Sequence, residues 1–303
     1  MTDVLARVRR EIVGRARELE IVLAALDADR HIVLEGPPGT GKSTLLRAVA
    51  DALGVGFEFV EGNAELTPAR LVGAFDPARV LNEGYVADAF MDGPLIAAMR
   101  EGSLLYVEEI NRVPEETLNV LITVMSEGDL SVPRLGRIAT TSGFRLVAAM
   151  NPFDSVGTAR ISGAIYDRMC RLAVGYQSLE DEVAIVARNV EGVDVGWIEG
   201  VVHVVRATRE HSDLRTGSSV RGAIDTALVA RSLGALRGKS PTTSSVARDA
   251  ALTALGGRVR LREGVSRSTE DVIMEIWDSV FAPQRDSGER GKGGAPTGAT
   301  NSL

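Results

Sequence analysis

Aromatic residues, cysteine and histidine are scarce in this sequence of 303 residues. Phe, Trp and Tyr together make up 4% of the chain, so few rings are available for the stacking platforms with which many proteins bind single-stranded nucleic acid. The single cysteine, Cys170, excludes an internal disulfide and any zinc site built on cysteine pairs, and this usage is typical of a reducing compartment. We expect Cys170 to be a small packed residue beside Met169 and Leu172. The histidines show no metal-ligand spacing and are interpreted as structural: His31, His203 and His211.

Long apolar runs and an excess of positive charge are also absent. No stretch approaches the roughly 18 apolar residues that a membrane-spanning helix needs, and charges interrupt the N-terminal segment where a signal peptide would be apolar. The 34 basic and 41 acidic side chains give a net charge of −7, which repels phosphate backbones and anionic membranes. We therefore expect a cytoplasmic protein without a membrane span, and nucleic acid is disfavoured as its partner.

The apolar pattern divides the chain into three parts. Over residues 1–177, short apolar runs typical of buried parallel strands alternate with helical patterns, and this alternation predicts a three-layer α/β core with a mainly parallel sheet. The predicted strands cover 31–34, 57–60, 103–107, 130–134 and 143–150. From residue 178 to 282 only helical periodicity is found, which predicts a smaller all-helical domain. Residues 283–303 are rich in Gly, Ser and Thr and are expected to form a disordered tail.

A phosphate-binding loop follows the first predicted strand and precedes a predicted helix. Glycines in such a loop let backbone N–H groups turn toward the β- and γ-phosphates, and the helix presents the positive end of its dipole to them. In this pattern Lys42 places a charge on the phosphates and the hydroxyl of Ser43 binds Mg²⁺. The sequence therefore predicts ATP and Mg²⁺ as ligands. The candidate nucleotide-binding residues here are Gly36, Pro37, Pro38, Gly39, Thr40, Gly41, Lys42, Ser43 and Thr44.

Two adjacent acids end the apolar run at residues 104–107, at the same edge of the predicted sheet as the phosphate loop. We assign Glu108 to the metal and Glu109 to the polarisation of a water that attacks the γ-phosphorus. Asn151, at the end of a later strand, is the candidate for orienting that water, with a simple turn before Pro152 as the alternative. An arginine from a neighbouring subunit would complete a site for ATP hydrolysis.

With these motifs the chain resembles the AAA+ ATPases, and more narrowly their MoxR family. The resemblance implies a P-loop NTPase core followed by a helical lid, and it covers about residues 12–262. The segments that carry it, besides the phosphate loop, are residues 12–15, 93–95, 109–112, 150–152, 166–169 and 217–221. One difference is that families of this kind usually have Asp-Glu where this chain has Glu108-Glu109.

The resemblance also implies roles for residues outside the phosphate loop. Val13 and Gly14 correspond to the segment that lines the adenine pocket. Arg168 corresponds to the arginine finger that reaches the next subunit's site, with nearby Arg160 as a rival. Arg221 corresponds to the arginine of the helical lid that senses the γ-phosphate. A finger supplied in trans implies a ring, and a hexamer is expected.

For function, the resemblance implies a chaperone or remodelling motor that works with a partner carrying a von Willebrand factor A domain and helps a metalloenzyme mature. Residues 71–77, 84–85 and 150–154 resemble the branch linked to carbon monoxide dehydrogenase. The ATPase subunit of a metal-chelatase-like complex is one alternative. The other is a DNA-dependent motor, in which a predicted hairpin over residues 130–145 would present Arg134, Arg137 and Arg145 to a ring pore.

Overall fold

The computed structural model of this chain describes residues 2–152 and 163–281. Its strands are β1 (His31–Glu35), β2 (Phe57–Glu61), β3 (Gly73–Phe75), β4 (Phe90–Asp92), β5 (Leu104–Glu108), β6 (Asp129–Val132), β7 (Gly136–Ala139), β8 (Arg145–Met150), β9 (Met169–Ala173), β10 (Leu214–Thr216) and β11 (Arg260–Leu261). Its α-helices are α1 (Thr2–Glu11), α2 (Ala16–Asp27), α3 (Lys42–Leu53), α4 (Pro68–Val72), α5 (Pro77–Glu83), α6 (Pro94–Glu101), α7 (Glu115–Glu127), α8 (Gly163–Tyr166), α9 (Leu179–Asn189), α10 (Val195–Glu210), α11 (Val220–Arg237), α12 (Ser244–Leu255) and α13 (Thr269–Phe281).

A parallel sheet of five strands in the order β2-β5-β8-β1-β9 forms the middle layer. Successive residues of a strand point to opposite faces, so each strand contributes to two cores. Ile32 and Leu34 pack with α1, α2 and α3 on one face, and Val33 packs toward α4, α6 and α7 on the other. Both faces of these strands are therefore apolar, which explains their continuous hydrophobic runs.

The helices after β9 enclose a core of their own. Trp197 and Trp277 pack together with Phe281, and small residues of α11 and α12 allow those two helices to lie close together. The three-layer α/β core followed by a helical part is confirmed. The boundaries at 177 and 282 stay a prediction, and the predicted tail at 283–303 lies outside the described residues.

The structure also corrects several expectations. The expectation for Cys170 was wrong: it is exposed on the edge strand β9, although Met169 and Leu172 beside it are buried. A strand at the edge of a sheet has a neighbour on one side only, so it is less completely covered than an inner strand. The predicted hairpin is shorter than expected: β6 pairs with β7, whereas Arg145 begins the central strand β8 and forms an ion pair with Asp29.

Several elements were not predicted from the sequence. They are α1, the edge strand β9, the short hairpin of β3 and β4, the short helices α4, α5 and α8, and the short strands β10 and β11. Across the described residues, no helix is both long and apolar enough to cross a membrane.

Candidate functional site

The phosphate loop joins β1 to α3 at the carboxyl edge of the sheet. Gly39 and Gly41 have φ angles of 73° and 82°, a left-handed conformation that glycine adopts without the steric cost of a Cβ atom. A Cβ on Gly36 would lie 1.9 Å from the backbone oxygen of Val174. The backbone path of this loop therefore requires these three glycines.

Lys42 begins α3 and is only 8% exposed. Its Nζ donates hydrogen bonds of 2.9 Å to the carbonyl oxygens of Gly36 and Pro37. Burial lowers the pKa of Lys42 to about 8; Glu108 opposes this shift and Arg221 adds to it. Because neutral carbonyl groups hold the ammonium, its charge remains available to an anionic phosphate.

Ser43 and Glu108 form the candidate metal pair. The Ser43 hydroxyl donates to Oε1 of Glu108 over 2.9 Å, and the Tyr106 hydroxyl lies 3.1 Å from the same Ser43 oxygen. Tyr106 is fully buried on the β5 face that packs on α3, and burial raises the pKa of its phenol. The phenol therefore stays neutral, and its hydroxyl helps to hold the Ser43 side chain in position.

Glu109 and Asn151 follow neighbouring strands. Glu109 has φ 51° and ψ 44°, a left-handed conformation that is uncommon for a residue with a side chain and is typical of functional sites. Its carboxylate pairs with Nε of Arg112 at 2.9 Å. Because β8 lies between β1 and β5, the sheet order places Asn151 between the phosphate loop and the two glutamates.

A cavity of about 220 Å³ is bordered by the phosphate loop, Glu108, Glu109 and Asn151, and by Arg221 from the helical part. Gly36 and Pro37 lie behind it, in contact with the amine of Lys42. Glu61, at the end of β2, also borders this cavity and was not predicted. The cavity is lined by Pro38, Gly39, Thr40, Gly41, Lys42, Ser43, Glu61, Glu108, Glu109, Ala149, Met150, Asn151 and Arg221.

A second cavity, of about 450 Å³, continues from the first and shares Gly39 and Arg221 with it. Val13 lines this cavity, as expected for the base side, and so does Thr44. Gly14 packs instead against α9, since a Cβ there would lie 2.6 Å from Oδ2 of Asp181. The remaining lining residues are Glu11, Ile12, Arg15, Thr40, Gly41, Gln177, Ile185, Arg188, Asn189, Val220 and Ile224.

Arg15 lines the second cavity and is a site residue that was not predicted from the sequence. Its Nη2 donates to the carbonyl oxygens of Thr40 (3.0 Å) and Gly175 (2.6 Å), and its Nη1 pairs with Glu18 at 2.8 Å. It thus ties the segment before β1 to the phosphate loop and to the connection after β9. The contacts with Thr40 and Gly175 span 25 and 160 residues, which no local pattern indicates.

Arg221 lies in the first turn of α11 and reaches both cavities. The loop before it approaches the phosphate loop directly: a Cβ on Gly39 would lie 2.1 Å from Oγ of Ser219. The structure therefore brings the predicted lid arginine to the phosphate site.

A buried glutamate on α9 anchors the loop that carries Arg221. Glu182 is 2% exposed and accepts hydrogen bonds from Arg206 (3.0 Å) and Arg209 (2.8 Å) of α10. Arg209 also donates to the Ser218 carbonyl over 2.8 Å. One carboxylate thus fixes α9, α10 and the approach to Arg221 relative to one another.

Arg168 lies at the opposite edge of the sheet, just before β9, and does not line either cavity. Its guanidinium donates to the Ser126 hydroxyl and to the Ala164 carbonyl. The finger role remains a prediction that needs a second subunit. The rival Arg160 lies outside the described residues.

A second buried glutamate, Glu35, lies directly before the phosphate loop and is 4% exposed. It accepts hydrogen bonds of 2.6 Å from Tyr166 and from Nε of Arg171. Burial favours the neutral acid, but these two donors outweigh it and the pKa of Glu35 is lowered. The end of β1 is thereby tied to α8 and β9, on either side of Arg168.

The sequence is similar to several known proteins. The family model for the AAA domain (dynein-related subfamily) matches residues 31–169. An uncharacterized protein of Staphylococcus epidermidis is 32% identical over 214 residues, which cover 67% of this chain and 78% of that protein. The gas vesicle ATPase GvpN of Haloferax mediterranei is 31% identical over 209 residues. That alignment covers 64% of this chain and 60% of GvpN, so about three fifths of that relative is spanned.

A solved structure supports the same fold. The crystal structure of a proposed ATPase from Cytophaga hutchinsonii superimposes with a TM-score of 0.53 and 20% identity. The superposition covers 91% of this chain and 92% of the Cytophaga hutchinsonii chain. At this identity the similarity concerns the fold alone.

Proposed function

We propose a function from the premise that this chain belongs to the AAA+ ATPases: it hydrolyses ATP with Mg²⁺ and uses the energy to remodel a protein partner. One observation supports the proposal of ATP hydrolysis. The phosphate loop, Glu108, Glu109, Asn151 and the lid's Arg221 border a single cavity, although they come from four separate segments of the chain.

The side chains of the cavity fit a magnesium nucleotide. Mg²⁺ prefers hard oxygen ligands and is usually held by one or two protein groups together with phosphates. A hydroxyl and a carboxylate that meet at 2.9 Å, Ser43 and Glu108, provide such a pair. Bound there, the ion would neutralise charge on the β- and γ-phosphates. The longer side chain of Glu108 reaches Ser43, which supports its use in place of the usual Asp.

The residues of this chain then have distinct roles in hydrolysis. Lys42 and the backbone N–H groups of the loop hold the phosphates. Glu109 accepts a proton from the attacking water, and Asn151 orients that water. Arg221 contacts the γ-phosphate from the lid, so loss of that phosphate changes how the lid is held against the core.

The partner and the assembly are the finer part of the proposal. The motifs shared with the MoxR family favour a hexameric ring in the cytoplasm that acts with a protein carrying a von Willebrand factor A domain, on a metalloenzyme in maturation. Arg168 would complete the neighbouring subunit's site. A defined test adds such a partner from the same host to the purified ATPase, and a change in turnover of severalfold is expected.

A second candidate is an ATPase of gas vesicle formation, favoured by the 31% identity to GvpN. Binding to gas vesicle proteins rather than to a von Willebrand factor A protein would decide for it. The hairpin of β6 and β7 does not favour the DNA-motor alternative, because its three predicted arginines have other contacts or lie elsewhere. Arg137 pairs with Asp129, Arg134 stacks over Tyr85, and Arg145 belongs to β8.

Glu109→Gln tests the hydrolytic assignment. Loss of the carboxylate removes the proton acceptor, so we expect turnover to fall by about 10²–10⁴ while ATP binding persists. Turnover is measured by phosphate release and binding by calorimetry. Glu116→Gln, in the exposed first turn of α7, is the matched control and should hydrolyse ATP normally. A Glu109→Gln variant that still turned over would overturn the assignment.

A further inference from the structure

Gln177, in the connection between β9 and α9, borders the base-side cavity with a fixed amide orientation. Its Nε2 donates to the carbonyl oxygen of Val13 over 2.6 Å. A carbonyl oxygen only accepts hydrogen bonds, so the NH₂ group of the amide must face Val13. The other end of the amide, Oε1, is therefore an acceptor whose position is set.

The backbone of Gln177 is held as well. Its carbonyl oxygen accepts from Nη1 of Arg206 over 3.0 Å, and Arg206 is paired with the buried Glu182. Within residues 2–152 and 163–281, no group donates to Oε1 of Gln177. Oε1 of the half-buried Gln177 is thus an acceptor held in place by contacts of both the side chain and the backbone, and no protein group donates to it within the described residues. Such an acceptor is suited to a hydrogen bond with a ligand.

The surrounding cavity has the chemistry of a purine site. Its walls include the apolar side chains of Ile12, Ile185, Val220 and Ile224, which suit the faces of a flat ring. Gly41 and Thr44, from the phosphate loop and the first turn of α3, border the same cavity. A base whose triphosphate lies in that loop would thus meet Gln177 with one of its polar edges.

Building on the proposed function, we propose that Gln177 reads the base: its Oε1 accepts a hydrogen bond from the exocyclic amine of adenine. Guanine presents a carbonyl oxygen at the same ring position, and two acceptors facing each other would both lose their hydrogen bonds. Gln177 therefore selects ATP over GTP. Val13 acts through its backbone, by fixing the amide in the selective orientation.

Asn189 is the other amide side chain that lines this cavity, so it is the alternative candidate for recognition of the base. Its Nδ2 donates to the Ile185 carbonyl of its own helix over 2.8 Å, and the residue is exposed. An exposed amide exchanges partners with water, so it contributes little discrimination. We expect the base preference to depend on Gln177 and not on Asn189.

The experiment compares two nucleotides that differ only in the amine. Calorimetry with Mg²⁺ gives the Kd of ATP and of purine riboside triphosphate, which has hydrogen in place of the 6-amine. The wild-type chain is expected to bind ATP about tenfold more tightly, because one good hydrogen bond contributes about that factor to the Kd. Gln177→Met, similar in length but without the amide, should reduce that ratio to about one, whereas Asn189→Leu should keep it.

Each alternative result has a distinct meaning. Equal weakening of both nucleotides by Gln177→Met, with the ratio preserved, would show that Gln177 only positions Val13 and would overturn the proposal. Loss of the ratio in Asn189→Leu instead would assign the reading to Asn189. A wild-type chain that bound neither nucleotide would overturn the proposed function itself, and a variant misfolded by the substitution would lose the far-ultraviolet circular dichroism of the wild type.

Discussion

The buried ammonium of Lys42 sets an upper pH limit for nucleotide binding. Its pKa is lowered to about 8, so in the free chain the charge is present below that pH and is lost above it. An anionic phosphate favours the charged form and raises the pKa on binding, so binding takes up a proton above pH 8. We expect the Kd of ATP to rise up to about tenfold per pH unit above about pH 8.

Calorimetry from about pH 6.5 to about pH 9.5 checks this expectation. Lys42→Arg is the control, because a guanidinium stays charged throughout that range. It should bind ATP more weakly than the wild type at neutral pH, yet with a Kd that hardly changes with pH. A wild-type Kd that stayed flat to the upper end would mean that Lys42 keeps its proton in the free chain.

Single residues of the site differ in how far the sequence predicts them. The loop glycines, Lys42 and Ser43 belong to a contiguous pattern whose spacing reflects the phosphates, so local information is sufficient. Tyr106 lies one pleat before Glu108, and its contact with Ser43 depends on which β5 face packs on α3. Gln177 acquires its orientation from Val13, 164 residues earlier, and only the folded chain shows that contact.

At the level of elements, strand and helix alternation predicts the sheet, because both faces of its strands are covered by helices. The edge strand β9 was missed: only Met169 and Leu172 of its five residues are buried, so it lacks a continuous apolar run. The amphipathic α1 was missed because charges dominate its sequence, although Val4 and Val8 pack into the core beside α2 and α3. The pair of the buried Glu35 and the exposed Arg171 spans 136 residues and has no local signature.

The helical part depends on Glu182 for the arrangement of its elements. Glu182→Gln would leave two arginines of α10 without their carboxylate, and breaking a buried ion pair costs about 3–5 kcal/mol. Because Arg206 is one-third exposed, we expect a loss of about 3 kcal/mol in the free energy of unfolding, nearer the lower bound. Urea denaturation followed by circular dichroism measures it.

The matched control for Glu182 is Glu199→Gln on α10. Glu199 is 53% exposed and lies 3.9 Å from His203, and such surface pairs contribute little, so its loss should change the free energy of unfolding by less than about 0.5 kcal/mol. Equal effects of the two substitutions would contradict the anchoring role. Since Arg209 also holds the Ser218 carbonyl, Glu182→Gln should further weaken ATP binding more than ADP binding.

For the whole molecule, Arg221 and the predicted finger Arg168 differ in how each would reach a phosphate site. Arg221 reaches the phosphate cavity from the same chain, by the approach of α11 to the phosphate loop. Arg168 lies at the far edge of the sheet and lines neither of the two site cavities of its own chain, so the predicted finger role requires a neighbouring copy. In a head-to-tail ring, every subunit offers its phosphate site to one neighbour and its Arg168 edge to the other.

Mixed rings test this arrangement. Glu109→Gln and Arg168→Ala should each be nearly inactive alone, the first for want of a proton acceptor and the second for want of a finger. When an Arg168→Ala subunit supplies the site and a Glu109→Gln subunit supplies the finger, the shared site is complete. Random rings of equal parts should therefore recover about a quarter of the wild-type turnover. The two chains are co-expressed with different tags, purified through both and assayed for phosphate release; turnover no higher than that of either variant alone would show that Arg168 does not act across the interface.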